Sequence, residues 1–432
     1  AGSVGINYGR VANDLPSAVK VASLIKSAGV EKVKLYDSDP AVLRAFSGTG
    51  VELTIALPNE QLFYVARRLS RAYAWVKQNV AAYVPATKIT TIAVGNEVFA
   101  NPKNITGFLV PAMKNINTAL LKYGLGDVKV SSPLALSALQ NSYPPSAGSF
   151  KTELVDTVMR PMLDFLNSTG SFLMVNAYPF FAYKDNAGVI SLDYALFNPN
   201  AGVPDAATGT LYKNLFDAQL DAVFTAASAL GHGALDIVVT ETGWPSKGDE
   251  DETGAGMDNA ATYNGNLVKH VLSNSGTPLR PKAALNTFLF ALFNENKKPG
   301  PTSERNYGLF YPTESKVYNI PLTAEALKSQ PPEVPSSNHT TTKPRNVSNA
   351  GSQTWCVANG KAGNEQLQTA LDFACGEGSA DCQQIQPGAA CYNPNTLEAH
   401  ASYAFNSYYQ KNSRKTGSCF FGGAAYVVTQ PP

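Results

Sequence analysis

The sequence is short of charge, short of histidine, and has no cysteine before Cys356. Charged residues make up 16% of its 432 positions, against roughly 25% in ordinary soluble proteins. They balance to a formal net charge of +1. No polybasic run occurs, so the electrostatic footprint of a nucleic-acid or anionic-membrane binder is missing. That argues against a nucleic-acid partner and favours a neutral polar one. The four histidines, His232, His270, His339 and His400, form no H-E-x-x-H or H-x-x-x-H arrangement, so a histidine-based metal centre has no support. There is no G-x-S-x-G elbow for a serine nucleophile, and no G-x-G-x-x-G or P-loop follows the first β-rich run. Neither a metal nor an organic cofactor is expected. The longest apolar runs, such as TFLFALF (287–293), fall far short of the roughly 20 residues that span a bilayer, so no transmembrane segment is expected.

What is rare is also unevenly placed. All five cysteines follow residue 355, and N-x-S/T sequons occur at Asn104, Asn167, Asn338 and Asn346, each a glycosylation candidate. The chain opens AGSVGINYGR, already strand-like, which implies that a secretory leader has been removed. Residues 329–353 hold four prolines among many Ser, Thr and Asn and no aromatic. Such a segment buries too little surface to offset its ordering entropy and reads as a stiffened linker. The expected organisation is a large domain over 1–328, the linker over 329–353, and a small cysteine-rich unit over 354–432. Secretion to the extracellular space or cell wall follows from the same features.

The large part alternates β-rich runs with helical patterns. Eight runs recur: SVGINYG (3–9), KVKLYD (32–37), ELTIALP (52–58), ITTIAVGNE (89–97), VKVSSPLA (128–135), FLMVNAYP (172–179), DIVVTETG (236–243) and ALNTFLFALF (284–293). They are nearly continuously apolar, as parallel strands covered on both faces are. Between them lie helical patterns such as AVKVASLIKSAG (18–29), closing on a glycine suited to a C′ cap, and 210–231, whose apolar residues recur at helical spacing. The α/β class and the count of eight point to a (β/α)₈ TIM barrel, with a doubly wound sheet as the alternative.

A barrel collects functional groups at the C-terminal ends of its strands. There the sequence has Tyr36, then Asn96 and Glu97, then Asn176 and Tyr178, then Glu241, then Glu295 and Lys298. A lone strand-end glutamate more often caps a helix or sits in a turn, but charge is scarce in this chain. Glu97 and Glu241 are the pair chosen: three strands apart, they face one another across the mouth. Two carboxylates about 5–5.5 Å apart serve a retaining glycosidase, one as nucleophile and one as an acid whose pKa is raised. Asn96 can offer its amide to a sugar hydroxyl. Tyr178 and Phe181 offer flat faces to a pyranose, and Trp244 either shapes the pocket wall or touches substrate.

These motifs carry a resemblance. DIVVTETGWPSKG, with VGINYGR, KLYDSDP, TIAVGNEV, NAYPFFAY and FNENKKPGPTSERNYGLF in the same order, resembles glycoside hydrolase family 17, in the form of plant endo-β-1,3-glucanases of the long type. The resemblance covers residues 1 to about 328. It implies a retaining barrel hydrolase with Glu241 as nucleophile and Glu97 as general acid/base. It further implies a Glu295–Lys298 ion pair beside them, and a groove lined by Tyr36, Asn96, Tyr178 and Phe181 for β-1,3-glucan such as callose or fungal wall glucan. The tail, with TWCVANG, LDFACGEGSADC, IQPGAACYNPNT and GSCFFGGAA, resembles the small carbohydrate-binding module of family 43. That implies bridges Cys356–Cys419 and Cys375–Cys382. The family has six cysteines and this sequence five, so Cys391 is left without its partner and the module's stability is put in question. Tyr408 and Tyr409 are its candidate sugar platform, and Phe405 reads equally as platform or as the core of an amphipathic helix. The expected protein is a secreted monomeric hydrolase of β-1,3-glucan, with anchoring of a precursor form an open alternative. The competing functional reading is a wall protein that binds or transglycosylates β-1,3-glucan rather than hydrolysing it.

Overall fold

Every strand of the main sheet runs parallel to its neighbours. The computed structural model describes residues 2–329, 354–415 and 417–428, which fall into two units, Ala1–Pro332 and Glu333–Pro432. In the first, the strands are β1 (Val4–Asn7), β2 (Lys32–Lys34), β3 (Glu52–Leu57), β4 (Lys88–Val94), β5 (Lys129–Ser131), β6 (Pro133–Ala135), β7 (Leu173–Asn176), β8 (Ile237–Thr242) and β9 (Asn286–Leu289). They pair in the order β5-β4-β3-β2-β1-β9-β8-β7-β6.

Ser132 alone separates β5 from β6, so the two are halves of one stave. Its first half pairs with β4 and its second with β7, which closes the ring. The break falls at Ser132, just ahead of Pro133, which opens the second half and has no N–H to give to a ladder. The eight predicted runs are thus the eight staves of a (β/α)₈ barrel. The strands are apolar on both faces because helices cover them outside. Leu53, Ile55, Leu57, Ile92 and Val94 are fully buried, each burial contributing about 1.5–3 kcal/mol.

The helices start where the chain supplies caps. Ser17 accepts from the Lys20 amide ahead of α1 (Ala18–Ser27), and Gly29 follows it at φ +70°, a conformation that favours glycine. The pattern over 210–231 yields a shorter helix, α2 (Leu215–Ala229), capped by Asn214. Leu211 and Tyr212 leave the helix to pair with Val203 and Pro204.

The second unit joins β10 (Trp355–Ala358) antiparallel to β11 (Ala425–Val428), with helices α3 (Asn364–Cys375) and α4 (Leu397–Lys411). Ala401, Ala404 and Phe405 form the buried stripe of α4, and Phe405 stacks on Phe421 at 4.2 Å. Disulfides join Cys356 to Cys419 and Cys375 to Cys382; Cys391 is free and exposed. Cross-links of this kind are usual where a core is too small to hold alone.

Candidate active site

The strands deliver their carboxylates by local irregularity. In β8 the register against β7 shifts between Val239 and Glu241, and an irregularity of this kind re-aims a side chain. Glu97 follows β4 with left-handed backbone, φ 48° and ψ 44°, which is uncommon outside glycine. Its neighbours hold it there. The Glu97 amide donates to the Pro133 carbonyl at 2.9 Å. Asn59 accepts from the Asn96 amide at 2.9 Å and donates to the Asn96 carbonyl at 3.0 Å. Gly95 must be glycine: its φ is +67°, and a Cβ there would lie 2.6 Å from Val98.

Asn176 joins the two acids. Its Nδ2 donates to Glu97 Oε1 at 2.9 Å and to Glu241 Oε2 at 3.0 Å, and also approaches Asn96 Oδ1 at 3.2 Å. The amide is oriented from behind, where the Thr240 hydroxyl donates to Asn176 Oδ1 at 2.8 Å. On the other side of Glu241, the Tyr178 hydroxyl donates to Oε1 at 2.6 Å. Among the described residues the buried Tyr36 hydroxyl has no hydrogen-bond partner. Burial first and then the Glu241 charge hold both phenols well above the usual tyrosine range.

Glu97 is raised above the usual carboxylate range by burial and then by Glu241, against the opposing pull of Asn176, Lys34 and Lys298. Glu295, only 2% exposed, is raised by burial, with Lys298 opposing, and it accepts from the Val11 amide at 3.0 Å. The backbone crowds it: a Cβ on Gly9 would lie 2.5 Å from Glu295 Oε1. The Glu295–Lys298 ion pair expected from the sequence is not made within 4.0 Å. The Lys298 ammonium instead lies over the Phe290 ring, 4.4 Å from its centre, so its charge reaches the site without a direct contact.

A cavity of about 650 Å³ opens over this cluster, lined among others by Tyr36, Asn96, Glu97, Asn176, Tyr178, Phe181, Glu241, Glu295 and Lys298. All nine were singled out from the sequence. Trp244 is corrected: it is fully buried and does not line the cavity. It packs on Phe180, Tyr183 and Tyr263, and its indole N–H donates to the Gly254 carbonyl at 2.8 Å. It therefore supports the wall from behind. Tyr307, Phe290 and Glu304 also line the cavity and were missed.

So was Lys34, which is fully buried in β2, its Nζ 3.9 Å from the centre of the Tyr36 ring. Burial pushes it down to about 8, while Glu241 and Glu97 pull the other way. The signal available for it was its place two residues before Tyr36, which strand alternation puts on the same side of the chain. Among the described residues no group of His, Cys, Asp and Glu is arranged to hold a metal ion, and no helix is long and apolar enough to cross a membrane.

The second unit has a groove of about 690 Å³, lined by Phe373, Tyr408 and Phe421 with Glu365, Gln366 and Thr369 among others. Phe373 and Tyr408 meet edge to face at 5.8 Å. Tyr409 is corrected: it is 5% exposed, and its hydroxyl is bonded to Thr354 Oγ1 at 2.9 Å, so it belongs to the core. Of the sequons, Asn104 and Asn167 are exposed; Asn338 and Asn346 lie outside the described residues.

Known proteins match both units. Residues 4–322 match the family model for glycosyl hydrolases family 17, and residues 354–426 that for the X8 domain. Glucan endo-1,3-beta-glucosidase 13 of Arabidopsis thaliana is 45% identical over 434 residues, spanning 100% of this chain and 84% of that protein. Glucan endo-1,3-beta-glucosidase 12 of the same plant is 43% identical over 449 residues, spanning 100% and 83%. Among solved structures, a beta-1,3-glucanase and allergen of Cryptomeria japonica pollen superposes with a TM-score of 0.71 at 45% identity, covering 74% of this chain and 99% of that one. With its strand-end acids gathered over a closed parallel barrel, the chain belongs to the glycosyl hydrolases of family 17 and carries an X8 domain later in its sequence.

Proposed function

We propose that the chain is a secreted endo-hydrolase of β-1,3-glucans that retains anomeric configuration. The observation that carries this is the single Asn176 nitrogen bonded to both Glu97 and Glu241. Two bonds of 2.9 and 3.0 Å from one atom cap the separation of the accepting oxygens at their sum. That favours the short spacing of a retaining pair, about 5–5.5 Å, over the roughly 6.5–9.5 Å that leaves room for water in an inverting one.

The roles follow from the surroundings. Glu241, held by Asn176 and Tyr178, attacks the anomeric carbon as the glycosidic C–O bond breaks. Glu97, whose raised pKa keeps its proton available, gives that proton to the departing oxygen. The glycosyl–Glu241 ester is then resolved by water, which loses its proton to Glu97 as its oxygen bonds to the anomeric carbon and the Glu241 carboxylate departs. Tyr178 and Asn176 stabilise the charge on Glu241 in the free enzyme and as it leaves. Tyr36, Tyr178 and Phe181 supply faces for sugar rings, with Asn96 offering its amide while that of Asn176 is held by the two acids. The relatives' names supply the linkage.

The chain is divided by function into a catalytic domain over 1–328, a linker over 329–353 and a glucan-holding module over 354–432. The module works through the Phe373, Tyr408 and Phe421 rings, raising the local concentration of the catalytic domain on insoluble polymer. The disulfides and the exposed sequons at Asn104 and Asn167 support secretion.

The test is release of reducing ends from laminarin by the wild type and by Glu241→Gln. Release by the first and none by the second is expected. A folded wild type that releases nothing reduces the cleft to a recognition surface.

A further inference from the structure

We infer that the rings of Phe63 and Tyr64, braced by Phe108, form a further subsite for a glucan chain, past the cleft on the side of Asn96. The inference rests on the reading that the cleft holds a β-linked glucan.

The space leads there. A smaller cavity of about 150 Å³ shares Tyr36 and Asn96 with the main one and continues to Asn59 and Glu60. Asn59 is tied in both directions to Asn96, the neighbour of Glu97, so this rim is fixed relative to the acids. Three residues past Glu60, within about 5 Å of helical rise, stands Phe63. Its ring meets Phe108, from the loop after β4, at 5.1 Å and nearly perpendicular. The two rings therefore join the segments that follow β3 and β4 at the catalytic end of the barrel.

The same short helix, Leu62–Arg67, already has what it needs for packing. Leu62 and Val65 are buried against the core at 0% and 3% exposure, whereas Phe63 and Tyr64 are left 40% and 57% exposed. Phe63 and Tyr64 stand at 85° to one another with centroids 5.4 Å apart, and Arg67 lies 5.1 Å from the centre of the Phe63 ring. An aromatic corner with the Arg67 guanidinium on it suits a sugar, which offers apolar C–H faces and a belt of hydroxyls. A chain held over Glu97 and Glu241 and continuing past Asn96 meets this corner next. The occupant is thus a distal stretch of the chain being cut.

The experiment measures kcat/KM on soluble laminari-oligosaccharides of increasing length, for the wild type and for the double variant Phe63→Ala with Tyr64→Ala. The shortest cleaved chains should be unaffected. Chains long enough to reach the corner should lose roughly 2- to 10-fold, the effect of one aromatic contact. A loss equal at every length, or no loss at any length, overturns the subsite. Melting curves check that the fold is intact, and Tyr64→Ala alone replaces the double variant if it is not. A wild type inert on every chain fails the glucanase reading instead. Titration of the same oligosaccharides then decides the subsite separately, and unchanged affinity in the variant overturns it.

Discussion

The barrel cleft and the groove of the second unit are lined by the same kind of rings but differ in what the rings surround. In the cleft, Tyr36, Tyr178 and Phe181 share the lining with four carboxylates, three of them raised by burial. In the groove, Phe373, Tyr408 and Phe421 stand beside one carboxylate, Glu365, which is exposed to water. Rings are enough to hold a sugar. Breaking a glycosidic bond needs a pair of acids whose environments push them apart, and only buried positions supply that. The units differ too in what holds them together. The larger one is held by a continuous core without a cysteine, the smaller by two disulfides around a few buried side chains.

The sharpest way to break this contrast is Glu241→Gln. It should lower turnover by at least about 10³-fold while leaving binding of laminarin, measured by titration, within a few-fold of the wild type. Substantial residual turnover would remove Glu241 from its role. Next is Tyr178→Phe, which deletes the 2.6 Å bond to Glu241. Hydrogen bonds to charged groups are worth about 1.5–3 kcal/mol, so kcat should fall roughly 10- to 100-fold in steady-state assays.

The second unit gives smaller effects of a different kind. Replacing Cys356 and Cys419 by Ser should destabilise it by about 2–5 kcal/mol, seen as loss of its own melting transition, with activity on soluble oligosaccharides unchanged. Phe373→Ala should weaken retention on insoluble glucan several-fold, by the magnitude of a lost aromatic contact, again without touching soluble turnover. If activity on soluble chains falls with either change, the division of labour between the units is wrong.

The smallest effect is on pH. The Lys34 charge lowers the Glu97 pKa, and Glu97 acts protonated. Lys34→Met removes that charge, so the Glu97 pKa rises and the alkaline limb of the kcat/KM profile moves to higher pH. Movement to lower pH would contradict the assignment of Glu97 as the acid.

Much of this was legible in the sequence because strand ends are local. VGNE and VVTETG place a glutamate where an apolar run stops, and a (β/α)₈ barrel brings strand ends together whatever their separation along the chain. Side-chain direction was less legible. Trp244 and Tyr409 sit in aromatic surroundings that read equally well as platform or core, and burial decided both for core. Phe373 was not singled out, because nothing local in the sequence distinguishes this exposed apolar residue from a buried one. Lys34 was passed over because a charged residue in a strand ordinarily faces solvent, and only the barrel's inward face explains it. The Glu295–Lys298 ion pair failed because three residues in a loop do not fix where a lysine's long side chain points, and the Phe290 ring offers the ammonium another place to rest.

The most direct test of the central claim is proton NMR of laminarin cleavage in its first minutes, before mutarotation mixes the anomers. If Glu241 attacks and Glu97 protonates across the space bridged by Asn176, the new reducing ends appear first as the β-anomer. Appearance of the α-anomer first would mean direct attack by water, and the assignment of Glu241 as nucleophile would fall.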